Sequence, residues 1–249
     1  MFRRPGLTIM NAAEQLALGT APLIRVGSGT DTPLQIAMNP FGAGTNGARM
    51  GRPLQAAFGE VILQIGMQTP VVVVVGSAGT GKSLLMDMTA RTCLEMGLST
   101  RRIERGDLVH MAFGEKSDVL LVDETDSMSN SALQALLKAG SQNTATTMVF
   151  LCLPTCVCRF GFADVRSVVV ELTPLALSDA RNYLQERANS IGRPNLFMAD
   201  ALDLIIDGSR GLPRLMRTIA GHAFFSAVSQ GASQISPKHV SDALESRTL

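Results

Sequence analysis

Tryptophan is absent from this chain and tyrosine occurs once, as Tyr183. That leaves no run of aromatic rings on which successive nucleic-acid bases could stack. An excess of either charge is lacking too. The 22 basic and 21 acidic side chains give a formal net charge of +1, so no overall field draws the chain to nucleic acid or to an anionic membrane. Any such binding must come from a local patch. Long apolar runs are missing: Val71–Val75 and Val149–Leu153 are far shorter than the roughly 20 residues that span a bilayer. The basic start Met1-Phe2-Arg3-Arg4 is followed by Pro5, Gly6 and Asn11, which interrupt any apolar signal-peptide core. A cytoplasmic location without membrane insertion is therefore expected. The four cysteines, Cys93, Cys152, Cys156 and Cys158, lack the paired knuckles and nearby histidines of a zinc site and read as core thiols.

What is present suffices for a folded protein: 249 residues, 46% of them hydrophobic, can bury a substantial core. Residues 1–52 are rich in Gly, Pro, Thr and Asn and read as an arm that orders on assembly. From Pro53 to Gln68, Leu54, Ala57, Phe58, Val61, Ile62 and Ile65 recur at steps of three and four, which predicts an amphipathic helix. Five consecutive valines, Val71–Val75, cannot sit half exposed, and β-branched side chains favour a pleated backbone, so a strand covered on both faces is expected. The pattern continues with a helix over Lys82–Met96 ended by Gly97, a strand at Thr100–Glu104 and a short helix at Asp107–Phe113. A strand at Val119–Val122, a helix around Asn130–Ala139, and strands at Thr147–Leu153 and Ser167–Leu172 follow. Alternation of this kind predicts a parallel α/β sheet over residues 53–175. From 176 to 249 the pattern is helical: Asp179–Ser190, Ala199–Asp207, Pro213–Ser229 and Pro237–Arg247, with Pro213 and Pro237 as first-turn signals.

Between the valine strand and the next helix lies Gly76-Ser77-Ala78-Gly79-Thr80-Gly81-Lys82-Ser83, which matches G-x-x-x-x-G-K-[ST] in the context that the motif requires. Glycines 76, 79 and 81 let the backbone curl so that N–H groups point inward, where they and the helix N-terminus hold phosphate. Lys82 is expected to reach the β- and γ-phosphates, Ser83 to give its hydroxyl to a magnesium ion, and Leu84 to line the same site. A second acidic element is expected on a strand adjacent to the first, and Val119–Glu124 supplies it 41 residues after Lys82. Asp123 would hold the magnesium ion through water and Glu124 would activate the attacking water. Two adjacent acids there imply hydrolysis rather than transfer to a second substrate, which disfavours a small-molecule kinase. Asp126 reads as a local cap. No N-K-x-D guanine-reading motif appears, so ATP is the expected nucleotide.

In the order Asn39-Pro40-Phe41, P-loop, Asp123-Glu124 and Gly211-Leu212-Pro213-Arg214, the sequence resembles the AAA+ ATPases over about residues 39–244. Within them it is similar to the compact bacterial type of the general-secretion and DNA-transposition systems, related to the replication initiators. The resemblance implies a P-loop α/β sheet with a small helical lid, ATP and Mg2+ as ligands, and a homo-oligomeric ring or filament. It implies Phe41 against the adenine, Arg214 as an arginine touching the γ-phosphate from the lid, and an arginine finger in trans. Arg166 best fits the finger and Arg159 is its competitor. The family's polar residue at the end of the fourth strand is not matched, since Phe150–Pro154 is apolar and the first polar residue is Thr155. The short stretch between the second and third strands leaves little room for pore loops. The implied function is a nucleotide-driven assembly switch that positions a protein partner, or double-stranded DNA through Arg101, Arg102 and Arg105 or Arg210, Arg214 and Arg217. The alternative is an assembly module that binds ATP and hydrolyses it little.

Overall fold

The structure, a computed structural model, describes residues 33–36, 39–41, 51–103, 117–142, 145–161 and 166–246. The Asp107–Phe113 helix, Glu104, Arg105 and most of the 1–52 arm lie outside them.

The first helix, α1, spans Arg52–Gly66 with Pro53 in its first turn, where a missing N–H costs nothing. Its apolar stripe buries Leu54, Ala57, Val61 and Ile65. Strand β1 is Val71–Val75, and all five valines are buried. The P-loop leads into α2, Lys82–Glu95. Strands β2, Thr100–Ile103, and β3, Val119–Val122, follow. Helix α3 is Asn130–Gln142, β4 is Thr147–Cys152, and a 3-10 turn occupies Pro154–Phe160 before β5, Ser167–Glu171.

All neighbouring strands pair in parallel, in the order β2-β3-β4-β1-β5. The expected adjacency of β1 and the acidic strand β3 is therefore corrected: β4 lies between them. Val73 pairs with Phe150 of β4, and Leu121 of β3 pairs with Val149 of β4. The period of two explains why β1 must be apolar at every position. Val72 and Val74 pack with α1 and α2 through Val61, Leu85 and Met86, whereas Val71, Val73 and Val75 pack with Leu133, Leu136 and Leu137 of α3. Each face contributes roughly 2 kcal/mol per fully buried valine by area bookkeeping.

Helices α4, Leu177–Ser190, α5, Ala199–Ser209, α6, Pro213–Ser229, and α7, Pro237–Glu245, share a separate buried cluster centred on Leu184, Ile205, Met216, Phe224 and Val240. Helix α7 starts with a reciprocal cap: Ser236 and His239 hold one another's backbone N–H groups. Leu34 and Phe41 join this cluster, and the Leu34 N–H donates to Ala232 O at 2.9 Å.

Candidate nucleotide-binding site

Parallel strands carry their carboxyl ends to one edge of the sheet, so the loops after β1, β3 and β4 converge there. They line a cleft of about 1050 Å3 that also takes in the N-termini of α1, α2 and α6. The P-loop is held by its own polar groups: Thr80, buried, donates its hydroxyl to Ser77 O at 2.9 Å. At Gly76 the backbone is walled in, since an added Cβ would meet Leu172 O at 2.7 Å and Thr80 Oγ1 at 2.8 Å. Gly79 has φ +87 and Gly81 φ +113, conformations that L side chains rarely adopt. Lys82 Nζ donates to Gly76 O at 2.6 Å and Ser77 O at 3.1 Å. Burial holds the Lys82 ammonium below its ordinary pKa; Asp126, Cys152 and Asp123 oppose that shift.

Ala78, Gly79, Thr80, Gly81, Lys82, Ser83 and Leu84 all line the cleft, as do Asp123, Glu124 and Arg214. Apart from Gly76 and Ser77, which do not line the cleft, the residues expected to meet phosphate, metal and water lie along it. Glu124 sits in a left-handed backbone conformation, φ +48, an arrangement that costs a non-glycine residue about 1–2 kcal/mol. Its N–H donates to Asp123 Oδ1 at 2.8 Å, which helps to hold that turn. Asp123 Oδ2 lies 3.5 Å from Arg102, whose guanidinium also pairs with Asp87 of α2 at 2.7 Å. The Ser83 hydroxyl and the Asp123 carboxylate are hard oxygen donors lining one cleft, a set that fits magnesium, and a carboxylate with about four lone-pair sites can serve more than one partner.

The start of α6 docks directly on the P-loop. The Arg214 N–H donates to Gly79 O at 3.2 Å, and an added Cβ on Gly79 would stand 2.9 Å from Arg214 Cβ. Gly211, φ +71, makes this approach possible by turning against the Leu175 carbonyl while its own oxygen accepts the Leu175 N–H at 2.9 Å. Arg217, one turn further along α6, also lines the cleft.

Other expected placements change. Phe41 is buried against Phe197, with ring centroids 6.0 Å apart, and lies among the α4–α7 cluster rather than in the cleft wall. Tyr183 and Arg187 of α4 line the cleft instead, the guanidinium 5.5 Å from the ring centroid. Arg166 stands at the amino end of β5, where it donates to Met67 O and Thr69 Oγ1, each at 3.1 Å. That is the opposite end of the sheet from the chain's own P-loop. Arg159 is committed locally, with Nε donating to Asn130 Oδ1 at 2.7 Å and the guanidinium also reaching Thr125 O, Asp126 O and Met128 O. Thr155 is exposed in the 3-10 turn, and β4 presents Leu151 and Leu153 to the cleft. Of the two arginine clusters, Arg102 is paired with two acids, Arg214 and Arg217 line the cleft, and Arg105 lies outside the described residues.

Sequence reasoning did not place Asp126, Arg102 or Tyr183 in this cleft: it gave Asp126 as a local cap, Arg102 as a candidate DNA contact and Tyr183 no role. Asp126 lines the cleft while its Oδ1 accepts the Leu153 N–H at 2.8 Å, so it caps a loop and faces the site at once. A third acid three residues after Asp123 was the available signal. Arg102 had none, because its partners lie on two other elements.

A P-loop on β1, an acidic pair on β3 and β4 between them define a P-loop nucleotide-binding fold carrying a C-terminal helical cluster. No protein-family model matches the sequence, and no curated protein does. Solved structures do match. The chain is similar to the Aeropyrum pernix Orc1 protein in complex with DNA, at 13% identity and TM-score 0.65 over 84% of this chain and 69% of that one. It is similar to Drosophila ORC bound to DNA, at 15% identity and TM-score 0.66, over all of this chain and 70% of that one. It is also similar to the Thermotoga maritima RuvB Holliday junction branch migration motor, at 19% identity and TM-score 0.56, over 78% of this chain and 66% of that one. The fold is the AAA+ type of P-loop fold: a parallel sheet flanked by helices and followed by helices at the C-terminal end. Among the described residues no helix is long and apolar enough to cross a membrane.

Proposed function

We propose that this chain binds ATP with magnesium in the cleft, hydrolyses it to ADP and phosphate, and uses occupancy of the site to switch assembly of a homo-oligomeric ring or filament in the cytoplasm. The observation that carries this reading is that the P-loop, the Asp123–Glu124 strand end and Arg214 line one cleft. Backbone N–H groups of Gly76–Gly81 and the α2 N-terminus hold the phosphates. Lys82 neutralises them and Arg214 meets the γ-phosphate from α6. Ser83 and Asp123 would hold magnesium, which supplies charge neutralisation at the β- and γ-phosphate oxygens. Glu124 accepts a proton from the attacking water.

Arg166 is assigned as the finger to a neighbouring subunit's ATP. Its place at the opposite end of the sheet from its own P-loop supports a role toward another copy's γ-phosphate rather than its own. Within this proposal the organisation is an arm over 1–52, the ATPase unit over 53–175 and a lid over 176–249. Kinship to bacterial secretion and transposition ATPases belongs to it too. The three neighbours described are DNA-bound or DNA-processing proteins, which supports double-stranded DNA as a candidate partner beside a protein one. A second reading, tight nucleotide binding with little turnover, is favoured by one observation, the apolar Leu153 in the cleft wall at the end of β4.

The test is ATP turnover by wild type and Glu124→Gln, with and without double-stranded DNA, while light scattering follows particle size. The switch requires that Glu124→Gln abolish turnover and trap an ATP-dependent oligomer. Turnover at background in wild type, with tight nucleotide binding, selects the second reading. Failure of wild type to bind nucleotide or assemble removes both.

A further inference from the structure

Hydrolysis needs a group that orients water in line with the γ-phosphate. The end of β4 offers the cleft only Leu151 and Leu153. The loop after β3 offers a carboxylate that no step above uses. Asp126 lines the cleft, and three contacts fix its direction. Its Oδ1 accepts the Leu153 N–H at 2.8 Å, the Cys156 thiol donates to the same carboxylate, and Arg159 donates to its backbone oxygen at 3.3 Å. Arg159 also grips the loop on either side, at Thr125 O and Met128 O, and Asn130 Oδ1 holds the guanidinium in turn. A side chain so held is preorganised, and two donors leave part of a carboxylate's roughly four lone-pair sites for water. Asp126 and Lys82 line the same cleft, and the negative charge of Asp126 is among those that favour the Lys82 ammonium.

We propose that Asp126 orients the attacking water at the γ-phosphate end of the cleft, from the β3 loop rather than from β4. This rests on the hydrolysis reading above. Asp126 accepts one hydrogen of the water and Glu124 takes the other as a proton. The water oxygen bonds to the γ-phosphorus, the bond from that phosphorus to the β,γ-bridging oxygen breaks, and its electron pair leaves on ADP. Glu124 then releases its proton to solvent. A carboxylate at that position also repels the γ-phosphate of bound ATP and is nearly indifferent to ADP.

The experiment compares wild type, Asp126→Asn and Asp126→Ala by melting, by affinity for ADP and for a non-hydrolysable ATP analogue, and by single-turnover cleavage of ATP. Asp126→Asn keeps an oxygen for the Leu153 N–H and nearly the same volume, so its melting midpoint and ADP affinity stay close to wild type. Its affinity for the triphosphate relative to the diphosphate rises about threefold as the repulsion is lost. Its single-turnover rate falls by about tenfold or more. Asp126→Ala loses the rate and also melts lower. If wild type cleaves ATP and Asp126→Asn cleaves equally fast with an unchanged triphosphate preference, the role of Asp126 is overturned while the hydrolysis reading stands. If wild type binds ATP and cleaves none, the hydrolysis reading fails in the wild type itself and takes this role with it.

Discussion

Replacing Gly211 by alanine tests the junction that brings α6 onto the P-loop. At φ +71 an alanine costs roughly 1–2 kcal/mol relative to a relaxed conformation. The new Cβ would overlap the Leu175 carbonyl oxygen and stand 3.3 Å from both Leu175 C and Leu175 N, so backbone rather than a flexible side chain must yield. Forced overlap of that kind costs about 1–3 kcal/mol. The yielding also strains the bond from the Leu175 N–H to Gly211 O, 2.9 Å long and worth about 1 kcal/mol. The combined loss is on the order of 4 kcal/mol, about 10 °C in the thermal midpoint for a chain of this length. Gly192 supplies the control: its φ is +70, but an added Cβ would meet nothing within 4 Å. Gly192→Ala therefore carries the backbone term alone, and a drop of about 3 °C is expected. Thermal melts by far-UV circular dichroism measure both. Equal drops in the two variants would refute the claim that Gly211 is chosen for closeness to Leu175. Because Arg214 follows three residues later, Gly211→Ala should also weaken nucleotide binding at temperatures where it remains folded, whereas Gly192→Ala should not.

Arg102 shares Asp123 with the proposed magnesium site, and removing a like charge from the metal's neighbourhood should ease metal entry. Arg102→Gln is expected to lower the magnesium concentration that half-saturates nucleotide binding by about threefold, a modest effect because the pair is partly exposed. A higher requirement would mean that Arg102 is needed to orient Asp123. Burial, reinforced by the Asp126 and Cys156 charges, pushes the Cys152 thiol up to about 12 from its ordinary 9.0. The unfolded chain therefore loses this proton first, so the stabilising contribution is complete below about pH 9 and is lost as pH rises towards about 12. Urea midpoints across that range should fall less steeply in Cys152→Ala than in wild type; parallel declines would refute the burial argument.

The P-loop was legible in the sequence because all its determinants are local: eight consecutive residues, a valine strand before them and a helix after. The acidic pair was legible for the same reason, since Val119–Val122 carries its own burial signal into Asp123. The order of the sheet was not. Nothing in Thr147–Cys152 distinguishes a strand that enters between β1 and β3 from one added elsewhere, because an unbroken buried run names no neighbour; the crossover decides it. The packing of Phe41 was not legible for a related reason: motif order names a neighbourhood, and the ring packs with Phe197 in the α4–α7 cluster. Asp126 was legible as a cap but not as a wall of the cleft, because its partners Leu153 and Cys156 lie across a whole helix and strand.

The lone tyrosine has a spectroscopic consequence. With no tryptophan to outshine it, Tyr183 is the chain's dominant intrinsic emitter, and it is seated in the wall of the cleft beneath the Arg187 guanidinium. Its fluorescence is therefore a local gauge rather than an average over the fold. A purine settling against α4 would quench it, and label-free titrations could follow the site with the unmodified protein.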